Sequence, residues 1–542
     1  MQLLSQPKSL SVFKEEEFID QRFQVPEIHQ KVYLLNGECV EWEGAVTNIY
    51  SPVYIPTEEG LKPKLLGSIP ETTAKEAMEA LDAALVAYDN GLGEWPSMGV
   101  EGRIECMQKF VYLMLRERNL MIKLLMWEIG KSLADATKEF DRTVDYINNT
   151  IGALKELDRE SSRFQQVEGI IAQVRRTPLG VVLSMGPFNY PLNEIFTTLI
   201  PALIMGNTVL FKLPKHGVLV HYPLLNAFKE AFPKGVVNTL YGKGADIITP
   251  VMESGKVNVL AFIGTSKVAN LLKKLHPKVN RLRAVLSLDA KNAAIVTKNA
   301  DLDVAVAECL LGALSFNGQR CTALKLIFVQ EEVAEEFVSK LALAVSALKI
   351  GLPWENDVAI TPLPEPAKPA YLKECIDDAI AKGASIINEH GGFTEASLVV
   401  PAVLYPVNQS MRLYHEEQFG PLIPVVPFKT IDEPITYQVN ASHGMQVSIF
   451  TEDAGETATL IDSFVNLVSR VNINCQAQRG PDVLPFTGRK DSAEGTLSIP
   501  DALRAFSIRS IVAAKSTEKN KDILNSIVHD RQSCFLSTDY IF

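Results

Sequence analysis

Short apolar runs alternate with helical stretches from Gly180 to Thr297, a rhythm that leaves few folds open. The runs are GVVLSMGP, NTVLFKLP, GVVNTLYG, VNVLAFIG and NAAIVT. Strands of this length, separated by helices, imply a parallel sheet of the α/β class. A second series follows from about Ser315, with LKLIFVQ, the helix EEVAEEFVSKLALAVSAL, then SLVVPAVLY, PLIPVVPF, QVSIFT and RVNIN. It predicts a second α/β domain. Ahead of both, apolar residues recur at helical spacing from Thr73 to about Leu154, which predicts a helical layer. Between layer and sheet, GIIAQVRRTPLG alternates like an extended ribbon.

A chain of 542 residues, 47% hydrophobic, has room for two or three domains with large cores. Its net charge of -11 argues against nucleic acid or an anionic membrane as a general partner. The N-terminal residues lack a basic flank before a long apolar run, and no stretch is long enough to span a membrane, so a cytoplasmic location is expected. Seven scattered cysteines without a CxxC pair predict neither a disulfide framework nor a metal site.

Glycines and small polar residues stand at several predicted strand ends, where open α/β sheets bind nucleotides. YGKGAD, with Gly244, and FIGTSKVAN are the best candidates. In the second, Gly264 permits close approach, and Thr265 and Ser266 open a helix whose N–H groups suit a pyrophosphate. NTVLFKLPKHG ends on Lys212, then Lys215 and His216, with no acidic residue among them. The usual clamp for a free ribose is a carboxylate, so this turn favours a 2′-phosphate, and NADP over NAD.

FNGQRCTALK places Cys321 between an arginine and a threonine, and a nearby cation increases the thiolate fraction that a nucleophile needs. Upstream, GPFNYP offers Asn189, whose amide can donate to an oxyanion. In their order these strings resemble the aldehyde dehydrogenase superfamily, over roughly Val32 to Lys515. The family's Pro-Phe-Asn stands at Pro187 to Asn189 and its Gly-Asn-Thr at Gly206 to Thr208. Its Gly-Gln-x-Cys stands at Gly318 to Cys321, and its Glu-Glu-x-Phe-Gly-Pro at Glu416 to Pro421.

The resemblance implies two doubly wound α/β domains and a small β oligomerisation flap. An NAD(P)-binding domain would comprise residues 1–168 and 181–283, a ribbon 169–180 and 505–515, and a catalytic domain 284–496. Residues 516–542 form an extension of unassigned role. The resemblance also implies that Cys321 attacks an aldehyde to give a thiohemiacetal, its oxyanion held by Asn189 and the Cys321 backbone N–H. Glu417 and Phe419 would place the nicotinamide ribose and ring, while Lys212 and Thr265 would hold the adenosine ribose and a phosphate. Pro187, Lys215, Gly244 and Gly264 complete the expected cofactor set. A homodimer or homotetramer is expected.

Three positions depart from the family pattern. Most members carry Glu-Leu-Gly-Gly-Lys before the cysteine, with that Glu as base for thioester hydrolysis; here the string is Ser287, Leu288, Asp289, Ala290, Lys291. Alternation along a strand would put residues 287 and 289 on one face, so Asp289 is expected to act as the base. Ala269 replaces a glycine often found in the cofactor helix, and Thr198 replaces a lysine near the base.

Arg320 beside the nucleophile, Arg479 in NCQAQRGPD and Arg142 in TKEFDRTVDYIN present planar forks suited to phosphate. With Tyr190 they resemble the substrate contacts of the non-phosphorylating, NADP-dependent glyceraldehyde-3-phosphate dehydrogenases. The expected substrate is therefore a phosphorylated aldehyde. Dehydrogenation of another aldehyde with NAD or NADP, transfer of the acyl group to coenzyme A and a non-catalytic binding role stay open as alternatives.

Overall fold

The computed structural model describes Leu10 and residues 12–541; residues 1–9, on which part of the reading for targeting segments falls, lie outside the described residues. Two doubly wound sheets carry the core. In the first, Val237–Leu240, Thr208–Lys212, Val181–Met185, Val259–Ile263 and Arg283–Ser287 run parallel in that spatial order. The short antiparallel pair Ala493–Glu494 closes one edge. Every residue of Val259–Ile263 is buried, as expected for a strand covered on both faces. The chain winds outward from Val181–Met185, then returns to lay Val259–Ile263 on the other side. Strand order reverses between these two, and a crevice opens beyond their carboxyl ends.

The second sheet runs Ser385–Ile386, Ala402–Tyr405, Leu422–Phe428, Leu324–Gln330, Asn292–Val296, Gln446–Phe450 and Arg470–Ile473. All are parallel except the first, which is short and antiparallel to its neighbour. The helical layer expected from Thr73 opens with a capping box, in which Thr73 accepts from the backbone of Ala74–Tyr88 and Glu76 reaches back to Thr73. Its longest member, Leu133–Ser161, buries Ala136, Phe140, Thr143, Ile147, Thr150 and Leu154 at the spacing of one helix face. The helical reading missed a long antiparallel hairpin ahead of this layer, Val46–Thr57 with Gly60–Pro70.

The strand Ile170–Pro178 lies between Phe164–Val167 and Ser507–Lys515, antiparallel to both. Beyond it the chain forms the helix Glu518–His529 and folds back onto the ribbon. There the Gln173 side chain donates to the Ser537 carbonyl at 2.6 Å and accepts from its N–H at 3.2 Å, and Arg175 donates to the Phe535 carbonyl at 3.1 Å. Among the described residues no helix is long and apolar enough to cross a membrane.

Candidate active site

Pro187, Phe188 and Asn189 follow directly on Val181–Met185, and Gly264 and Thr265 on Val259–Ile263, so both segments line the crevice at the reversal point. The second sheet meets them with its amino edge. Cys321 comes just before Leu324–Gln330, and Glu416 to Phe419 come just before Leu422–Phe428. The two edges are stitched together by the Asn189 amide, which donates to the Gln319 carbonyl at 2.7 Å.

The cysteine loop is built on unusual backbone. After the helix Leu302–Leu314, Phe316, Asn317 and Gly318 have φ of 48°, 56° and 70°. For a bulky Phe this conformation is strained, and the surroundings must hold it in place. The Phe316 ring packs edge-on against Tyr190, and the Asn317 side chain both donates to and accepts from Thr361. A Cβ on Gly318 would lie 2.7 Å from the carbonyl oxygens of Ala313 and Gly420, so this position requires glycine twice over. The Cys321 carbonyl accepts from Asn292 Nδ2 at 2.8 Å and Lys325 Nζ at 3.2 Å.

Burial pushes the half-buried Cys321 thiol up to about 11, the Glu194 carboxylate adds to the push, and Lys325 and Arg479 oppose it. The cations acting most strongly on the thiol are therefore these two rather than its neighbour Arg320. Arg320 donates instead to the Gly312 carbonyl at 2.9 Å and to Gln476 at 3.4 Å.

Cys321 opens onto a cavity of about 460 Å³ whose lining includes Arg142, Tyr190, Glu194, Arg320 and Arg479. The arginines expected to grip an anion are thus brought together with the thiol, but two of them already have acidic partners. Arg142 pairs with Asp482 at 2.7 Å. Arg479, 5% exposed, pairs with Glu194, lies 3.4 Å from Asp482 and covers the Phe486 ring. An anionic ligand must compete with these carboxylates. Tyr190 is fixed from behind, because the Lys131 ammonium stands 3.3 Å from its ring centroid. Lys131 is itself fully buried against Glu139, whose carboxylate accepts from the N–H groups of Leu192 and Asn193 and so secures the turn after Asn189.

The expectation for Asp289 needs correcting. The strand ends at Ser287, so alternation does not extend to residue 289. The Asp289 carboxylate turns to the cofactor side and accepts from the Ser266 N–H at 2.7 Å, capping the helix Ser266–Leu275. It does not line the cavity that holds Cys321. Ser287 is buried in the sheet, and Thr198 bonds to the Ile195 carbonyl and lies 3.3 Å from Ser184.

On the cofactor side, burial alone pulls the Lys212 ammonium down to about 8, and no ion pair is made with it among the described residues. Such a lysine gains most from an anion. Lys215 is exposed, and burial followed by Lys215 holds the adjoining His216 near 4. Gly244 opens the helix Gly244–Glu253 onto free space. Gly264 donates to the Ser287 carbonyl, Thr265 caps its helix by accepting from the Val268 N–H, and Ala269 is buried beneath. The Glu417 carboxylate pairs with Lys325 and accepts from the Ala290 N–H at 3.3 Å. Phe419, at φ 45°, sets its ring edge-on to Phe188. With Asp289 seated on the Ser266 N–H, the helix dipole is partly neutralised, so the pyrophosphate reading at Thr265 loses one of its donors.

Sequence reasoning missed Lys325, Asn292, Asp482 and Glu194. Glu194 did leave a signal, since it is the single charge in Asn193–Ile204, a helix whose residues are all buried. A buried charge asks for a partner or a task.

The profile of the aldehyde dehydrogenase family matches residues 52–512. The NADP-dependent glyceraldehyde-3-phosphate dehydrogenase of Streptococcus equinus is 32% identical over 83% of this chain and 92% of its own length. The enzyme of that name from Triticum aestivum is 32% identical over 83% of this chain and 88% of its own. Among solved structures, the NADP-dependent glyceraldehyde-3-phosphate dehydrogenase of Bacillus halodurans C-125, complexed with NADP, superposes with a TM-score of 0.82 at 30% identity. That match covers 90% of this chain and all of the other. With its two doubly wound sheets, its thiol between their facing edges and these relatives, the chain belongs to the aldehyde dehydrogenase family and is an NAD(P)-dependent oxidoreductase.

Proposed function

We propose that the chain oxidises glyceraldehyde 3-phosphate to 3-phosphoglycerate with NADP, through a thiohemiacetal and a thioester on Cys321 and without inorganic phosphate. One observation carries this reading: a single cavity holds the thiol together with Arg142, Arg320, Arg479 and Tyr190. Guanidinium forks and a phenol in one cavity with a nucleophile suit a short aldehyde with a phosphate at its far end. The names of the Streptococcus equinus and Triticum aestivum relatives support the same substrate and cofactor.

The phosphate is held by the arginines, which orients the carbonyl carbon toward Sγ and converts an encounter into a directed attack. The Asn189 amide, now on the Gln319 carbonyl, and the Cys321 backbone N–H oppose the oxyanion that forms. Bound NADP supplies the nicotinamide that accepts the hydride. Lys212, half-buried and with no ion pair among the described residues, suits the 2′-phosphate. Glu417 and Phe419 suit the nicotinamide end, and Lys325 steadies both Glu417 and the cysteine carbonyl.

The same reading divides the chain into a cofactor-binding domain of residues 1–168 and 181–283 and a catalytic domain of residues 284–496. It assembles two or four copies through the ribbon. Exposed Ile508, Ile511 and Val512 on the outer ribbon strand support that use. The substrate test compares glyceraldehyde 3-phosphate with glyceraldehyde, using NADP and NAD, with and without inorganic phosphate, by reduced-nicotinamide absorbance. A kcat/KM at least about 100-fold higher for the phosphorylated aldehyde is expected. Equal values would overturn the reading, as would a requirement for inorganic phosphate.

A further inference from the structure

A thioester enzyme needs a group to take a proton from the hydrolytic water, and two positions that sequence offers for it are empty of that chemistry. Ser287 has no basic side chain at neutral pH, and Asp289 is committed to the Ser266 N–H on the cofactor side. The carboxylates that do line the cavity around Cys321 are Asp135, Glu139 and Glu194. Glu139 is fully engaged, with Lys131 on one side and two backbone N–H groups on the other. Asp135 accepts from Ser132 in the first turn of its helix.

Glu194 differs from both. It sits at the start of Asn193–Ile204, five residues after Asn189, and is 7% exposed. One carboxylate oxygen pairs with Arg479, and among the described residues no donor is hydrogen-bonded to the other. Of all the charged groups near Cys321, its carboxylate raises the thiol most, which places its field at the reacting sulfur. Its tether is also one of the arginines facing the cavity. Asp482 bridges that arginine to Arg142, so an anion that engages the two guanidiniums competes with Glu194 for its only side-chain partner among those described.

We propose that Glu194 is the general base that hydrolyses the Cys321 thioester, held in reserve by Arg479 and released when the anionic end of the substrate takes that guanidinium. This proposal rests on the function given above. In the step, water oxygen attacks the thioester carbonyl carbon while Glu194 removes one of its protons. The tetrahedral intermediate collapses with cleavage of the carbon–sulfur bond, and Cys321 leaves as thiolate. The carboxylic acid loses its proton to solvent, and the proton on Glu194 returns to the sulfur, restoring both groups.

The test uses the full-length enzyme and Glu194→Gln, which keeps the shape and a hydrogen-bond acceptor for Arg479. Rapid mixing of aldehyde and NADP is expected to give a burst of about one reduced cofactor per active site in both proteins. Steady-state turnover of the variant should fall by about 100-fold or more, with the acyl group found on Cys321 by mass spectrometry of the quenched enzyme. Glu194→Asp should recover part of the turnover. The pH profile of Cys321 alkylation should move to lower pH in Glu194→Gln, a shift that a purely structural role would not produce. Undiminished turnover in Glu194→Gln overturns the proposal, as does loss of the burst together with the turnover in a folded variant. Product release by the wild type only when coenzyme A is added also overturns it. If the wild type prefers an aldehyde without phosphate, the substrate reading fails in the wild-type comparison, while burst and turnover on that preferred aldehyde still decide Glu194.

Discussion

Lys212 ends a strand whose other residues are buried, and an ammonium there holds its proton less firmly than in water unless an anion stands beside it. Held near 8 by burial, it is charged below that pH and neutral above it. The ratio of kcat/KM for NADP over NAD should therefore be high at pH 7 and fall as pH rises through about 8, because kcat/KM reports the free enzyme. Using the ratio cancels the titration of Cys321, which both cofactors share. Lys212→Met should lower the ratio by about 10- to 100-fold at pH 7 and remove its pH dependence. A ratio flat with pH in the wild type would show that Lys212 does not read the cofactor. At this scale the sequence was legible where a role is carried by a local string. Cys321, Asn189 and the three arginines lie in strings that carry an expected role, and the structure gathers the thiol and the arginines around one cavity with Asn189 bonded to the cysteine loop. Glu194 was not legible, because its meaning lies in Arg479, 285 residues away. Asp289 was misread because a strand that stops at Ser287 looks in sequence like one that continues.

The elements around the site are held by their ends more than by their middles. The turn from Leu302–Leu314 into the cysteine loop passes three residues in left-handed conformation, and Gly318 is the one with two carbonyl oxygens where a side chain would begin. Gly318→Ala should cost about 2 kcal/mol or more. It should lower the apparent Tm in a thermal scan and reduce kcat by about 100-fold, since a displaced Sγ loses its line of attack. An alanine variant with wild-type melting and turnover would remove the geometric argument for that loop. Strand and helix order in both sheets followed from apolar periodicity, which is strong wherever both faces are covered. The hairpin Val46–Thr57 with Gly60–Pro70 escaped, because its first half is exposed at Val46, Thr47 and Asn48 and its pattern is correspondingly mixed. The helix Glu518–His529 has no buried residue at all, so no core pattern marks it.

For the whole molecule, the last residues act as a strap across the ribbon. Gln173 is fully buried beneath it, and Leu536 inserts at the same place. Truncation after Lys515 removes the three hydrogen bonds from Gln173 and Arg175, which at about 1 kcal/mol each is a loss of about 3 kcal/mol. A fall of a few degrees in apparent Tm is expected, with kcat and KM unchanged because no cavity residue is lost. A truncated enzyme with altered kcat would instead tie the strap to the chemistry.

The ribbon also fixes an order of events at the ribosome. Ile170–Pro178 can pair early with Phe164–Val167, but its other edge waits for Ser507–Lys515, and Asn207, which holds the N–H groups of Leu179 and Gly180, also waits for the carbonyl of Phe506. At ordinary translation speed the interval is on the order of tens of seconds. Throughout it one strand edge of the nascent chain is open beside a nearly finished sheet, which makes that edge the natural grip for a chaperone and the first place where crowded nascent chains would stick to one another.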